Sequence, residues 1–103
     1  MISKSDTGSN KTMYHLIVSE QLDKKLLRLG KKYPKQVEIL WKKVKEIVHN
    51  PSHYKPMRKR MKGQRRVHID KHFVLTFEIL EDEKAVRLLD FDHHEKIYFY
   101  LLF

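Results

Sequence analysis

The order of helix-like and strand-like patterns along the chain is the feature that most constrains its fold. Apolar residues recur at helical spacing only between residues 20 and 50, whereas the segments after residue 64 alternate as strands do. One short β-prone run, 14–18, precedes the helices. Because most strands are segregated from the helices, the pattern predicts an α+β fold in the order β-α-α-β-β-β, with a small, largely antiparallel sheet of about four strands.

The first half of the chain predicts a helical hairpin. Ser19 is placed to cap a helix that extends to about Lys32. Pro34 fits the first position of a second helix, which Asn50-Pro51 ends. Each helix carries one apolar stripe, so we expect the hairpin to pack on one face of the sheet.

The second half predicts a connector followed by three strands. Residues 52–64 lack an apolar period, and strand-like runs follow at about 65–69, 73–80 and 85–91, with a hairpin turn at 81–83. Arg66 and His68 alternate with Val67 and Ile69, so the ionisable pair should share the sheet face away from the helices. We expect that face to be open to solvent or a ligand. The tail, 97–103, is interpreted as a last strand or a packed segment.

Length and charge bound the class of protein. The 103 residues suit a single domain, predicted over 13–103, after a polar leader at 1–12 that is predicted to be disordered. The absence of cysteine excludes disulfides and thiol catalysis and fits a reducing, cytoplasmic setting. No apolar run approaches the roughly 20 residues of a membrane helix. The net charge of +9 favours an anionic partner: a phosphate backbone, an anionic membrane or an acidic protein.

Two segments carry the residues suited to chemistry. From Lys55 to His72 the chain has eight Lys or Arg against one acidic residue, Asp70. The second segment is Asp92-His93-His94-Glu95, with Tyr98 close behind. Cleavage of an RNA backbone needs a base, an acid, cations for the charge on phosphorus and an aromatic ring to stack on a base. Histidines, arginines and a phenylalanine on one sheet can supply all four.

Other interpretations of these segments stay open. The basic run alone could be a nonspecific nucleic-acid patch or a linker. The paired histidines could bind metal, but adjacent strand residues point to opposite faces and no HExxH pattern accompanies them, so no metal site is predicted. A helix-turn-helix is a further rival, although the second helix uses its apolar side as a core stripe.

The run KGQRRVHIDKHFVLTFEI, followed by LLDFDHHEKIY, resembles the RelE/ParE superfamily of type II toxins, and within it the YafQ-like ribonucleases. The resemblance implies a curved antiparallel sheet backed by a helical hairpin. It also implies metal-independent cleavage of mRNA in the ribosomal A site, without a cofactor, and an acidic antitoxin as partner.

The resemblance also assigns roles to residues. His68 and His94 resemble the acid/base pair, and Arg66 and Tyr98 complete the expected catalytic set. The expected substrate-binding set is Lys55, Arg58, Arg60, Lys62, Arg65, His72 and Phe73, with Phe73 stacking on a base. Three positions depart from the family: Lys55 replaces a histidine, His72 an aspartate and Val74 an arginine. Two other functions remain open, a ParE-like inhibitor of DNA gyrase that cleaves nothing and a nucleic-acid-binding module without catalysis.

Overall fold

The computed structural model describes residues 13–56 and 63–99, and it confirms the predicted α+β fold. To the predicted order it adds a two-residue strand in the connector and a short helix after the last strand. Two 3₁₀ turns, Pro51–His53 and Glu81–Glu83, join elements of this order. The strands and helices, in chain order, are β1 His15–Val18, α1 Glu20–Lys32, α2 Pro34–His49, β2 Lys55–Pro56, β3 Gln64–Ile69, β4 Phe73–Leu80, β5 Ala85–His93 and α3 His94–Phe99.

The helical hairpin forms for local reasons that the sequence contains. The Ser19 hydroxyl accepts a hydrogen bond from the Leu22 backbone N–H at 3.0 Å, which satisfies a free donor at the start of α1. The Tyr33 N–H donates to the Leu29 carbonyl at 2.6 Å and closes α1, and Pro34 opens α2. The predicted cap, boundary and second start are therefore all confirmed.

The sheet has the order β1-β5-β4-β3-β2 among the described strands. Strands β2, β3, β4 and β5 pair antiparallel with their neighbours, whereas β1 runs parallel to β5. A parallel pair needs a long crossover connection, which the helical hairpin and the intervening strands supply here. The sheet is thus mixed: four main strands and the two-residue β2.

The core lies between the helical hairpin and one sheet face. Leu40 and Ile47 of α2 are fully buried, as are Phe77 and Phe91 of the sheet, and all four belong to one cluster. Burying such side chains contributes about 1.5–3 kcal/mol each relative to exposure. This packing fixes the sheet against α1 and α2 and so sets where the ends of the strands lie.

The opposite sheet face is less open than predicted. Thr76 and Val74, the cross-strand neighbours of Arg66 and His68, are buried. Helix α3 contacts β4 and β5, and its Ile97 is 2% exposed, which indicates that α3 covers part of this face. The open site is therefore confined to the end of the face.

The C-terminal segment differs from one of the two alternatives predicted for it. Residues 94–99 form α3 rather than a last strand, and buried Ile97 agrees with a packed segment. Residues 100–103, like the predicted leader 1–12, lie outside the described residues. In the described part of the chain, no helix has both the length and the apolar character needed to span a bilayer.

Candidate active site

A concavity of about 270 Å³ lies at one end of the sheet. It is formed where the turn between β3 and β4 meets the junction of β5 with α3. Four histidines, one lysine and one glutamate line it: His68, Lys71, His72, His93, His94 and Glu95. Its volume is near the lower limit of about 300 Å³ for ligand pockets, a size suited to one small unit of a larger substrate.

The turn between β3 and β4 is held by the helical hairpin. Asp70 adopts a left-handed backbone conformation with φ 59°, which aspartate tolerates better than most residues. Gln36 of α2 donates from Nε2 to the Asp70 carboxylate at 3.0 Å. Helix α2 thereby fixes the turn that carries Lys71 and His72 to the concavity.

Strand pairing brings the two chemical segments together. Phe73 at the start of β4 pairs with His93 at the end of β5. One step beyond that pair, the His94 N–H donates to the His72 carbonyl at 2.6 Å. The end of β5 therefore lies beside the turn that carries His72.

Two exposed imidazoles form the chemical centre of the concavity. The rings of His68 and His94 are stacked, with centroids 5.5 Å apart and planes 27° from parallel. Burial, then the nearby positive charge of His94 and of Arg66, lowers the pKa of His68 below its ordinary value. A histidine of lowered pKa is neutral near pH 7 and can accept a proton, and its neighbour at this distance could donate one.

A cation from α1 supports the end of β5. The Lys25 ammonium lies 2.7 Å from a carboxylate oxygen of Asp90 and 2.9 Å from one of Asp92. Burial alone would lower the pKa of Lys25, but the hydrogen bonds and charges of these two carboxylates raise it overall. Burial likewise would raise the pKa of Asp92, and hydrogen bonds from Lys25 and the His93 N–H outweigh it, so the Asp92 pKa is lowered. Both groups are thus held in their charged forms.

Asp92 in turn contacts His93. One carboxylate oxygen accepts the His93 backbone N–H at 2.7 Å and lies 3.3 Å from Nδ1 of its ring. The ring of His93 packs against Phe73, 4.4 Å away, and against Tyr33, 5.4 Å away. Its position in the wall of the concavity is therefore fixed from two sides.

The prediction that Phe73 stacks on a substrate base is wrong. Phe73 is only 3% exposed, because β4 turns it towards the helices, opposite buried Ile69. Its ring contacts Phe91 at 5.0 Å and Tyr33 at 5.0 Å, as well as His93. Phe73 is a core residue, and the ring in front of it is that of His93.

Arg65 has a structural contact in the fold, and its role in binding substrate stays a prediction. Arg65 pairs with Phe77 and so shares the helix-facing side of the sheet, away from His68. Its Nη1 donates to the Tyr54 carbonyl at 2.7 Å, which ties β3 to the connector. Arg66, one residue on, lies on the same face as His68, as predicted.

The connector is described only in part. The backbone of Lys55 pairs with Arg66, which places this strand beside the candidate site. The other predicted connector residues, Arg58, Arg60 and Lys62, lie outside the described residues, as do the side chains of Lys55 and Tyr98. Their roles stay predictions.

Three of the six lining residues, Lys71, His93 and Glu95, lie within the two segments suited to chemistry but were assigned no role from the sequence. His93 was considered only as a metal ligand paired with His94. The one local signal for Lys71 was its place in the short loop between two predicted strands. Within the described part of the chain, His, Asp and Glu side chains do not cluster in groups of three or more that could hold a metal ion.

The chain is similar to known toxins in sequence and in fold. Residues 16–98 match the sequence model of the "ParE toxin of type II toxin-antitoxin system, parDE". A protein of Methanocaldococcus jannaschii named "Putative toxin RelE4" is 45% identical over 86 residues, 84% of this chain and 92% of the relative. Two solved structures share the fold at low sequence identity.

The first is the toxin–antitoxin complex RelBE2 from Mycobacterium tuberculosis, with a TM-score of 0.67 and 18% identity over 81% of this chain and 93% of the other. The second is YafQ from E. coli, with a TM-score of 0.65 and 20% identity over 82% and 98% of the two chains. At these identities the likeness concerns the arrangement of helices and strands.

Proposed function

This chain belongs to the ParE toxin family of type II toxin–antitoxin systems, within the RelE/ParE superfamily, and we propose that it is an endoribonuclease that cleaves mRNA. The observation that carries the proposal is the stacked pair His68 and His94, 5.5 Å apart in a basic concavity. An inhibitor that only binds its target has no need for two adjacent groups that exchange protons near neutral pH.

The proposed reaction is attack of the ribose 2′-OH on the adjacent phosphorus. His68 is the base that removes the 2′-OH proton, since its lowered pKa keeps it neutral. The 2′ oxygen forms a bond to phosphorus, the bond to the 5′ oxygen breaks, and His94 as imidazolium donates a proton to that leaving oxygen. The products are a 2′,3′-cyclic phosphate and a free 5′-OH.

Cations next to the pair stabilise the charge that develops on phosphorus. Arg66 is close enough to His68 to lower its pKa, so its guanidinium can also act on a phosphate bound there. Lys71 and His72 line the same concavity and can hold the neighbouring phosphate or ribose. Each of these groups acts through charge and hydrogen bonding, and the proposed step needs no cofactor.

The partners follow from charge and from the family. The net charge of +9 suits RNA, and it also suits an acidic antitoxin that associates quickly by electrostatic steering. RelBE2, one of the structures with this fold, is a complex of a toxin with its antitoxin. We place the reaction on the ribosome, in its A site, and hence in the cytoplasm, where translated mRNA is found.

A second candidate function has one observation in its favour. The matching family description names ParE, and ParE-like toxins inhibit DNA gyrase without cleaving RNA. That candidate predicts growth arrest with DNA damage and intact mRNA. The His68 and His94 pair has no role in it, which is why we rank it second.

The test is inducible expression in a bacterial host with mapping of mRNA 5′ ends. The wild-type chain should arrest growth and create new 5′ ends, and His94→Ala should abolish both while the purified protein still unfolds cooperatively. The matched control is His15→Ala, which replaces an exposed histidine of β1, on the opposite edge strand from β2. This control should behave as wild type.

Two results would contradict the proposal. Growth arrest without new mRNA ends would favour the gyrase-type toxin. New ends that persist when His68 and His94 are both replaced by alanine would show that other residues carry out the cleavage.

A further inference from the structure

We propose that His93 is the side chain that stacks on a substrate base in the concavity, and that Lys25 positions it through Asp92. This inference deepens the proposed function and rests on it, since the base belongs to the RNA whose phosphate lies at His68 and His94. It assigns the stacking role to a residue other than buried Phe73.

The exposure of the His93 side chain allows a base to reach its ring. The side chain of His93 is 35% exposed and lines the concavity, whereas Phe73 behind it is buried. The two rings are 4.4 Å apart and tilted by 33°, so Phe73 backs the imidazole as the next layer of a stack. His93 and His94 both line this concavity, so a base held on the His93 ring can lie beside a phosphate at His94.

The His93 ring is held in place by its neighbours. Stacking contributes most when the ring is already in place, because no side-chain freedom is then lost on binding. Tyr33 contacts the imidazole edge-to-face at 5.4 Å and an 80° angle, which limits rotation of the ring. A carboxylate oxygen of Asp92 lies 3.3 Å from Nδ1, which also restrains the orientation of the ring.

Lys25 supports His93 through Asp92. The Asp92 side chain is only 14% exposed, and a carboxylate at that depth needs a partner. Lys25, in the middle of α1, supplies this partner at 2.9 Å and also lies 2.7 Å from Asp90. Lys25 therefore acts on substrate only through Asp92 and His93, and it is a positioning residue.

The lining and the size of the concavity indicate the class of substrate. An imidazole wall with Lys71 and His72 nearby matches one nucleotide of single-stranded RNA, a base on the ring and a phosphate on the cations. The volume of about 270 Å³ leaves little room beyond one such unit. His93 is thus expected to influence which base flanks the cleavage site.

The test compares base profiles around mRNA 5′ ends made in cells by the wild type, His93→Ala and His93→Phe. In His93→Ala, enrichment of the preferred base at one flanking position should fall by roughly fivefold or more, as for one lost stacking contact. His93→Phe keeps a stacking ring and should still cleave with a base preference at that position. Thermal unfolding of each purified variant establishes that it is folded, and His15→Ala serves as the unchanged control.

Lys25 is tested in the same assay with its own conservative partner. Lys25→Met should weaken the base preference at the same position, and Lys25→Arg should restore it, because an arginine can again pair with Asp92. A role of Lys25 in folding alone would change the yield of cleavage without changing the base profile.

The possible failures are distinct. No new ends from the wild type would overturn the proposed function and this inference together. New ends from the wild type with the same base profile in folded His93→Ala would overturn this inference alone. Loss of all ends in both folded His93 variants would also overturn it, because the phenylalanine ring should have sufficed.

Discussion

The contact of Lys25 with Asp90 and Asp92 allows a stability prediction whose size can be worked out from the structure. Replacing Lys25 by methionine keeps most of the aliphatic stem and removes the ammonium. Two carboxylates then lose a partner at 2.7 and 2.9 Å. Asp92 is the costly one, since its side chain is 14% exposed and water can replace the lost partner only in part.

The expected loss of unfolding free energy lies between two limits. Exposed ion pairs contribute up to about 1 kcal/mol, and breaking a buried pair costs about 3–5 kcal/mol. The Lys25 side chain is 24% exposed and that of Asp90 35%, so the site lies between these cases. We expect Lys25→Met to lose about 2 kcal/mol, which for a domain of this size lowers Tm by roughly 10 °C.

The loss should depend on pH in a defined direction. Because the pKa of Asp92 is lowered in the folded chain, its contribution is full above the unfolded value near 3.9 and disappears as pH falls through the folded value. Because the pKa of Lys25 is raised, its contribution is full below the unfolded value near 10.4 and disappears as pH rises through the folded value. The difference between wild type and Lys25→Met should thus be constant between about pH 5 and 9 and shrink in acid.

The assay is urea unfolding followed by circular dichroism, with Lys24→Met as the matched control. Lys24 is 72% exposed and lies 3.8 Å from Glu20, so its replacement should change stability by less than about 0.5 kcal/mol. Equal effects of the two replacements, or a loss below 0.5 kcal/mol for Lys25→Met, would refute the reasoning. So would a difference that grows as the pH falls.

Two further predictions concern the concavity and the core behind it. The kcat/KM for RNA cleavage should rise with pH, and the apparent pKa of this rise should lie below the ordinary histidine value of about 6.5. The reason is that burial and the charges of His94 and Arg66 lower the pKa of His68. Cleavage rates measured across pH should show this rise, and Arg66→Gln should shift it to higher pH. An unchanged pH profile in Arg66→Gln would contradict the assignment of His68 as the base. Phe73→Ala should cost about 3–5 kcal/mol in urea unfolding because Phe73 is 3% exposed, whereas Leu27→Ala, at an exposed position, should stay within about 0.5 kcal/mol. Similar values for the two would contradict the assignment of Phe73 to the core.

Much of the fold could be predicted from local signals. Ser19 and Pro34 mark helix starts because a hydroxyl cap and a fixed φ act within one turn of the chain. Strand β4 was predicted with its observed bounds, Phe73–Leu80, because its apolar run ends at the acidic turn Glu81–Glu83. The parallel partner of β1 was not predictable in this way, since pairing between distant segments depends on how the hairpin packs.

The candidate site, like the fold, could be predicted only in part from local signals. Alternation along β3 was enough to put Arg66 and His68 on one face, because successive side chains of a strand point to opposite sides. The approach of His94 to His68 needed the pairing of β4 with β5 and the hydrogen bond from His94 to His72. The distance of 5.5 Å between the two rings therefore comes from the tertiary structure.

By itself, then, the sequence determined the class of fold, the helix boundaries and the shared face of Arg66 and His68 on β3, because each depends on residues near one another in the chain or on the period of one strand. Only the tertiary structure decided which aromatic ring faces the concavity. Phe73 and His93 are cross-strand neighbours on the side of the sheet that packs against the helices. Packing of Phe73 against Tyr33 and Phe91 buries its ring, while His93, at the end of β5, remains at the surface. Burial is a property of the assembled layers, and no local pattern in the chain contains it.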